Sequence, residues 1–299
     1  MPNSVQKYPG LAMSTHLNCI LCEKEVAGRF GMCTRCYNDL RAFYLSSFEQ
    51  QPEAERSLDQ FGMDFDSLVA HCAFMFKDVK EKVVCCLGGH DGTGLMLSRF
   101  KARKVVVLDI HTPVLEWSRK VGKGSECEIV THQYDARKPF SSNLDNELRE
   151  SHISAWRTDP PYNCAGIQCF LTRIFYHVKR SPAQTYLCVP LGASWSQLVM
   201  HDAWKFINSS GFEVIDVSAR LSNYPQLEGM TSCTWKIWLH RSDPEIKNGD
   251  FSFDLYHPTP EFCVDQNKCE DFDYCRESRK SWLDDKRILE DAKRILKGR

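Results

Sequence analysis

The chain has 299 residues, 42% hydrophobic and 26% charged, a make-up that excludes disorder as the dominant state. Thirty-eight basic against 39 acidic side chains leave a net charge of -1, which excludes a global basic field for gathering nucleic acid or anionic lipid. The opening MPNSVQKYPG has no apolar secretory core, no apolar run approaches the roughly 20 residues of a membrane span, and fifteen cysteines then point to a reducing compartment, the cytoplasm, with no membrane partner.

The first predicted element is a metal module over residues 1–45. Cys19-x2-Cys22 and Cys33-x2-Cys36 are separated by ten residues that include Gly28 and Gly31, the composition of a turn. Each pair forms a knuckle aiming two thiolates at one point, and two knuckles complete the tetrahedral S4 shell that zinc prefers. A redox or iron site is the alternative. So short a segment has too little core to fold unaided, so the expected role of zinc is that of a staple. Lys24, Arg29 and Arg35 give only a thin basic patch for a nucleic-acid or protein contact. Residues 46–80 follow as a helical connector. Leu40, Phe43, Tyr44 and Phe48, then Phe61, Phe65, Leu68, Val69 and Phe76, recur mainly at helical spacing, with Gln50 to Glu53 as a break.

From 81 to 241 short apolar runs alternate with amphipathic stretches. Val83 to Leu87, Val105 to Ile110, the segment entering Asp159, Thr185 to Val189, Phe212 to Val217 and Thr234 to His240 read as strands. Segments near 93–101, 112–121, 165–179 and 194–209 read as helices. This alternation predicts an α/β, Rossmann-like domain: a mostly parallel sheet with crossover helices on both faces and ligands beyond the carboxyl ends of its strands. Residues 242–299 form a polar, turn-rich extension. Cys263, Cys269 and Cys275 fall six apart, a spacing no known knuckle has. A terminal stripe through Trp282, Ile288, Leu289, Ala292, Ile295 and Leu296 predicts a helix packing on the body or on a second subunit in a homo-oligomer.

Two loops carry the candidate chemistry. The first strand ends in Gly88-Gly89-His90-Asp91-Gly92-Thr93-Gly94, and the second in Asp109, 21 residues after Gly88. Glycines let the backbone turn sharply and approach a ligand, and an acid at the second strand's end can take both hydroxyls of a ribose. Asp135, in Tyr134-Asp135-Ala136-Arg137, is placed either to accept from an adenine amino group or to sit in solvent. The strand entering Asp159 continues as Asp159-Pro160-Pro161-Tyr162-Asn163. Its prolines fix an extended course and free carbonyls to accept. An amine fits here: Asp159 accepts or removes its proton, the carbonyl of Pro160 holds a second N–H and the Tyr162 ring covers the group.

Asp-Pro-Pro-Tyr in this position resembles class I S-adenosylmethionine-dependent enzymes that modify amino nitrogens. The stretches VVCCLGGHDGTGLMLSRFKARKVVVLDIHTPVLEW and DPPYNCAGIQCFLTRIFYHVK are similar to the catalytic domain of the branched-chain polyamine synthases, over roughly residues 80–240. That resemblance implies a class I methyltransferase-like fold. It also implies transfer of an aminopropyl group from decarboxylated S-adenosylmethionine to a polyamine nitrogen. The family's first motif is Gly-Asp-Asp-Asp, whereas here Gly89 and His90 stand in place of its first two acids and only Asp91 remains. A cysteine tetrad also stands where the family carries a winged-helix module.

The expected site is therefore catalytic Asp159, Tyr162 and Asp91; donor-binding Gly88, Gly89, His90, Asp109, Asp135 and Pro160; and zinc-binding Cys19, Cys22, Cys33 and Cys36. Asp91 favours the decarboxylated donor, and Gly89 with His90 opens room for carboxylated S-adenosylmethionine. A small-molecule amine is the expected partner, held by acids such as Asp91, Asp159 and Glu228. The alternatives are an S-adenosylmethionine-dependent amino methyltransferase acting on nucleic acid and a non-catalytic nucleoside-binding module.

Overall fold

Runs of Val, Ile, Leu and Cys, too short for helices and buried on both sides, build a sheet covered on each face. In the computed structural model, which describes residues 18–24, 28–55, 58, 60–191, 196–218, 222–224, 231–240, 246 and 251, five strands lie parallel. They are β1 (Val83–Leu87), β2 (Lys104–Asp109), β3 (Glu128–Gln133), β4 (Ile153–Thr158) and β5 (Gln184–Leu191), in the order β3-β2-β1-β4-β5. The sheet then turns antiparallel. β6 (Phe212–Val217) is the far edge, the two-residue β7 (Ser222–Asn223) is a side pairing, and β8 (Thr231–Leu239) lies between β5 and β6. Cys263, Cys269, Cys275, Glu228 and the terminal stripe lie outside the described residues. No helix among the described residues is long and apolar enough to cross a membrane.

Alternate strand residues feed two cores, as a period of two requires. Cys85, Leu87, Val106, Leu108, Trp156 and Leu187 face α5 (Ser142–Glu150), α6 (Cys164–Val178) and α7 (Ser196–Ser209). Val84, Cys86, Val105, Val107, Ala155 and Tyr186 face α1 (Thr34–Phe48), α2 (Phe65–Val79), α3 (Thr93–Arg99) and α4 (Thr112–Gly122). Cys19, Leu21, Met32 and Leu40 belong to this second core, so the cysteine segment packs on the sheet's own helical layer. Side-chain caps fix where helices begin. Asp64 accepts from Ser67 N–H at 2.7 Å to start α2, and Asn163 accepts from Gly166 N–H at 2.7 Å to start α6.

Sequence reading named no strand at 128–133 and no helix at 142–150. β3 is the parallel edge, only partly buried, with little apolar patterning, and α5 buries only Leu144 and Leu148 on an otherwise polar helix. Strand order reverses between β1 and β4, which opens a crevice at their carboxyl ends.

Candidate active site

The crevice has an empty volume of about 780 Å³ including its open mouth. Its walls come from Gly88, Gly89, His90 and Asp91 after β1, Asp109 at the end of β2, Tyr134 and Ala136 after β3, and Asp159 to Tyr162 after β4. Leu58, Gln60 and Phe61, from the segment between α1 and α2, and Tyr224 after β7 complete it. The glycine turn and Asp159 thus face each other: a Cβ on Gly88, whose φ is +82°, would lie 3.7 Å from the Asp159 carbonyl oxygen.

Asp109 is 5% exposed, and its two oxygens accept from Gly89 N–H at 2.7 Å and His111 N–H at 2.8 Å. Burial raises its pKa, and those two N–H groups oppose the rise. Each carboxylate oxygen keeps a second lone pair for a ligand. Gly89 permits this arrangement because a Cβ there would stand 2.6 Å from Val107 Cγ1. A side chain at position 89 would have to displace Val107. Gly89→Ala is expected to destabilise the fold by ~1–3 kcal/mol through overpacking, read as a lower midpoint in denaturant. The His90 ring places Nε2 3.2 Å from the Pro52 carbonyl oxygen, which can only accept, so Nε2 carries the hydrogen. Burial lowers the pKa of this imidazole and favours its neutral form.

Asp159 directly follows β4, and its Oδ2 accepts from the Tyr224 hydroxyl at 3.0 Å. That hydroxyl lies 2.6 Å from the Tyr162 hydroxyl and 2.9 Å from Ser232 Oγ. A hydroxyl has one hydrogen, so Tyr224 donates to Asp159 and accepts from Tyr162 and Ser232. Asp159 Oδ1 is buried and has no hydrogen-bond partner among the described residues. Burial raises the pKa of Asp159; Arg157 pulls it down and Asp91 pushes it up again.

Arg157, a fully buried residue of β4, links the two acids. Its Nη2 pairs with Asp91 Oδ2 and lies 3.5 Å from Asp159 Oδ2. Burial opposes its charge, and Asp91, Cys188, Asp159 and Cys86 together outweigh that effect and hold the guanidinium protonated. The Asp91 oxygens also accept from Thr93 N–H at 3.1 Å and Thr93 Oγ1 at 2.7 Å, so this acid is committed to Arg157 and to the start of α3. Asp135 does not line the crevice. Its carboxylate takes a bidentate grip from Arg137, which lowers its pKa against the opposing effect of burial. Sequence reading missed Arg157 and Tyr224. A lone charge inside the buried run of β4 was the available signal for the first, and the second has no local signal.

The four N-terminal cysteines converge, with all Sγ atoms within 4.8 Å of one another and Cys22 and Cys33 at 3.6 Å, too far for a disulfide. A tetrahedral shell with Zn–S near 2.3 Å needs S···S of about 3.8 Å, so the donor set fits zinc. Burial would raise the Cys19 thiol, but backbone N–H groups of Cys22, Cys33 and Leu21 outweigh it and hold its pKa at about 6. Of the basic residues nearby, Arg29 pairs with Asp66 at 2.7 Å and Arg35 with Asp39 at 4.0 Å.

The family profile described as the branched-chain polyamine synthase A C-terminal domain matches residues 39–259, about three quarters of the chain. The chain belongs to this family. It is 27% identical over 209 residues to an uncharacterized protein of Methanocaldococcus jannaschii, covering 68% of this chain and 50% of that one. It thus spans about half the length of that curated relative. Two solved structures of the Thermus thermophilus branched-chain polyamine synthase share the fold. Both are complexes with N4-aminopropylspermidine and 5′-methylthioadenosine. The C9 mutein aligns at TM-score 0.61 and 21% identity, covering 75% of this chain and 68% of that one. The other aligns at TM-score 0.61 and 20% identity, covering 78% and 75%. The strand order and crevice are those of the class I methyltransferase-like fold that the sequence led us to expect.

Proposed function

We propose that this polyamine synthase family member transfers an aminopropyl group from decarboxylated S-adenosylmethionine to an amine nitrogen of a polyamine. The observation that carries the reading is the charge of the crevice: three carboxylates, Asp91, Asp109 and Asp159, line it against one guanidinium, that of Arg157, which is buried and already paired. Such a wall favours a donor with only ammonium and sulfonium charge and an acceptor that is polycationic. A donor carboxylate would meet acids and no accessible cation among the lining residues.

In this reading Asp109 accepts from the ribose hydroxyls, and the adenine lies beside Ile110 and Ala136. Asp135 reaches its amino group only by releasing Arg137. The turn from Gly88 to Asp91 borders the sulfonium tail. Asp159 and the Pro160 carbonyl hold the acceptor amine, with Tyr162 and Tyr224 fixing the carboxylate. The amine lone pair forms a bond to the propyl carbon next to sulfur. The carbon–sulfur bond breaks, its electron pair stays on sulfur, and 5′-methylthioadenosine leaves as a neutral thioether. Asp159 takes the proton released by the new ammonium, and the pKa raised by burial makes it a better base for that step. Alignment of the two reactants supplies much of the rate.

Calorimetry with the two donors tests the reading: decarboxylated S-adenosylmethionine should bind more tightly than the carboxylated form, and the reverse order would favour methyl transfer. Asp109→Ala is expected to weaken 5′-methylthioadenosine binding about 10- to 100-fold, the loss of hydrogen bonds to a charged acceptor, read in the same calorimeter.

A further inference from the structure

The cysteine cluster and the crevice are joined by one helix. Cys33 precedes α1 and Cys36 lies in its first turn, and the helix runs 15 residues, roughly 22 Å at about 1.5 Å per residue. Its far end reaches the glycine turn. Phe48 occupies the space a side chain at Gly92 would need, and its ring meets Trp117 edge-on at 5.2 Å between centroids. Trp117 Nε1 donates to the Ser47 carbonyl at 3.0 Å. Just beyond the helix, the Gln51 side-chain amide donates to the His90 carbonyl, and the Pro52 carbonyl accepts from His90 Nε2. The chain then continues through Leu58, Gln60 and Phe61, which line the crevice. At the near end the first knuckle is tied to α2 by Glu23 and Lys80 at 3.0 Å. This tie and Arg29–Asp66 are exposed ion pairs, a class worth little.

We propose that a metal bound by Cys19, Cys22, Cys33 and Cys36 anchors α1 and thereby sets the conformation of residues 88–92, the donor-side rim of the crevice. The metal acts as more than a local staple. Without the thiolate bonds at its start, α1 keeps the buried Leu40 and the aromatic contacts of Tyr44 with Phe48 and Phe65, and its far end loses its register on His90 and Gly92. By linkage, any ligand that needs the ordered turn raises metal affinity by the same factor that the metal raises its own.

Hydrogen exchange of the full chain, zinc-loaded and after mild chelation, tests this without donor or acceptor, so it stands apart from the transfer chemistry. The purified chain is expected to carry one zinc. On removal, peptides over 48–55 and 86–94 should exchange about tenfold faster or more, while β4 and β5 keep their protection. Absence of metal from the cysteines, or unchanged exchange at 86–94 in the zinc-free chain, would overturn the proposal. Should chelation unfold the whole chain, Phe48→Ala decides. It keeps the four ligands and is expected to retain zinc and global protection while loosening 86–94; unchanged exchange there would overturn the proposal equally.

Discussion

Asp159→Asn is expected to lower kcat by ~10²–10⁴-fold, the range lost with a positioned general base, while 5′-methylthioadenosine affinity changes by less than about tenfold. Asparagine keeps the shape of the side chain and can still accept from the Tyr224 hydroxyl, so the pocket should persist. What disappears is the proposed proton acceptor. Steady-state kinetics beside calorimetry separate the two effects. Equal losses in turnover and in nucleoside affinity would make Asp159 part of the binding surface and not the base.

The Arg157 pair yields the second large effect, and it has a sign. As the proposed base, Asp159 works only as the carboxylate, so the rate should fall as pH drops through its pKa. Burial raises that pKa, which puts the acid limb of kcat/KM above the ordinary aspartate value of about 3.9. Arg157 lowers the pKa, so Arg157→Met should move the limb to higher pH; Asp91 raises it, so Asp91→Asn should move the limb to lower pH. Opposite displacements from two partners of one ion pair are not what a purely structural role would give. Arg157→Met also leaves Asp91 buried and unpaired, at a cost of ~3–5 kcal/mol measured by denaturant unfolding. A pH profile that neither substitution moves would remove the electrostatic role assigned to this pair.

Much of the molecule was legible in the residues themselves. Strands with continuous apolar runs, such as VVCCL at β1, announce burial on both faces, and helices with strong stripes fall within a few residues of their expected bounds. The glycine turn, Asp109 and Asp159 were legible because their chemistry is local: a sharp bend, an acid at a strand end and two prolines each act where they stand. Asp91 looked like a free acid because its partner lies on another strand, 66 positions away at Arg157. Tyr224 reaches Asp159 from 65 positions away, across the antiparallel part of the sheet, where no period or spacing points to it. Asp135 illustrates the opposite case. Its carboxylate is engaged by Arg137 two residues on, a local ion pair that the sequence placed beside the offered ligand role. Gly89 reads as an open position in sequence and is filled in space by Val107, a contact that only packing reveals.

The most direct measurement incubates the purified chain with decarboxylated S-adenosylmethionine and spermidine and follows both products by mass spectrometry. Aminopropyl transfer requires a polyamine heavier by one aminopropyl unit and 5′-methylthioadenosine in equal amounts, with both lost in Asp159→Asn. Formation of S-adenosylhomocysteine from the carboxylated donor, with spermidine left unchanged beside the decarboxylated one, would contradict the assignment.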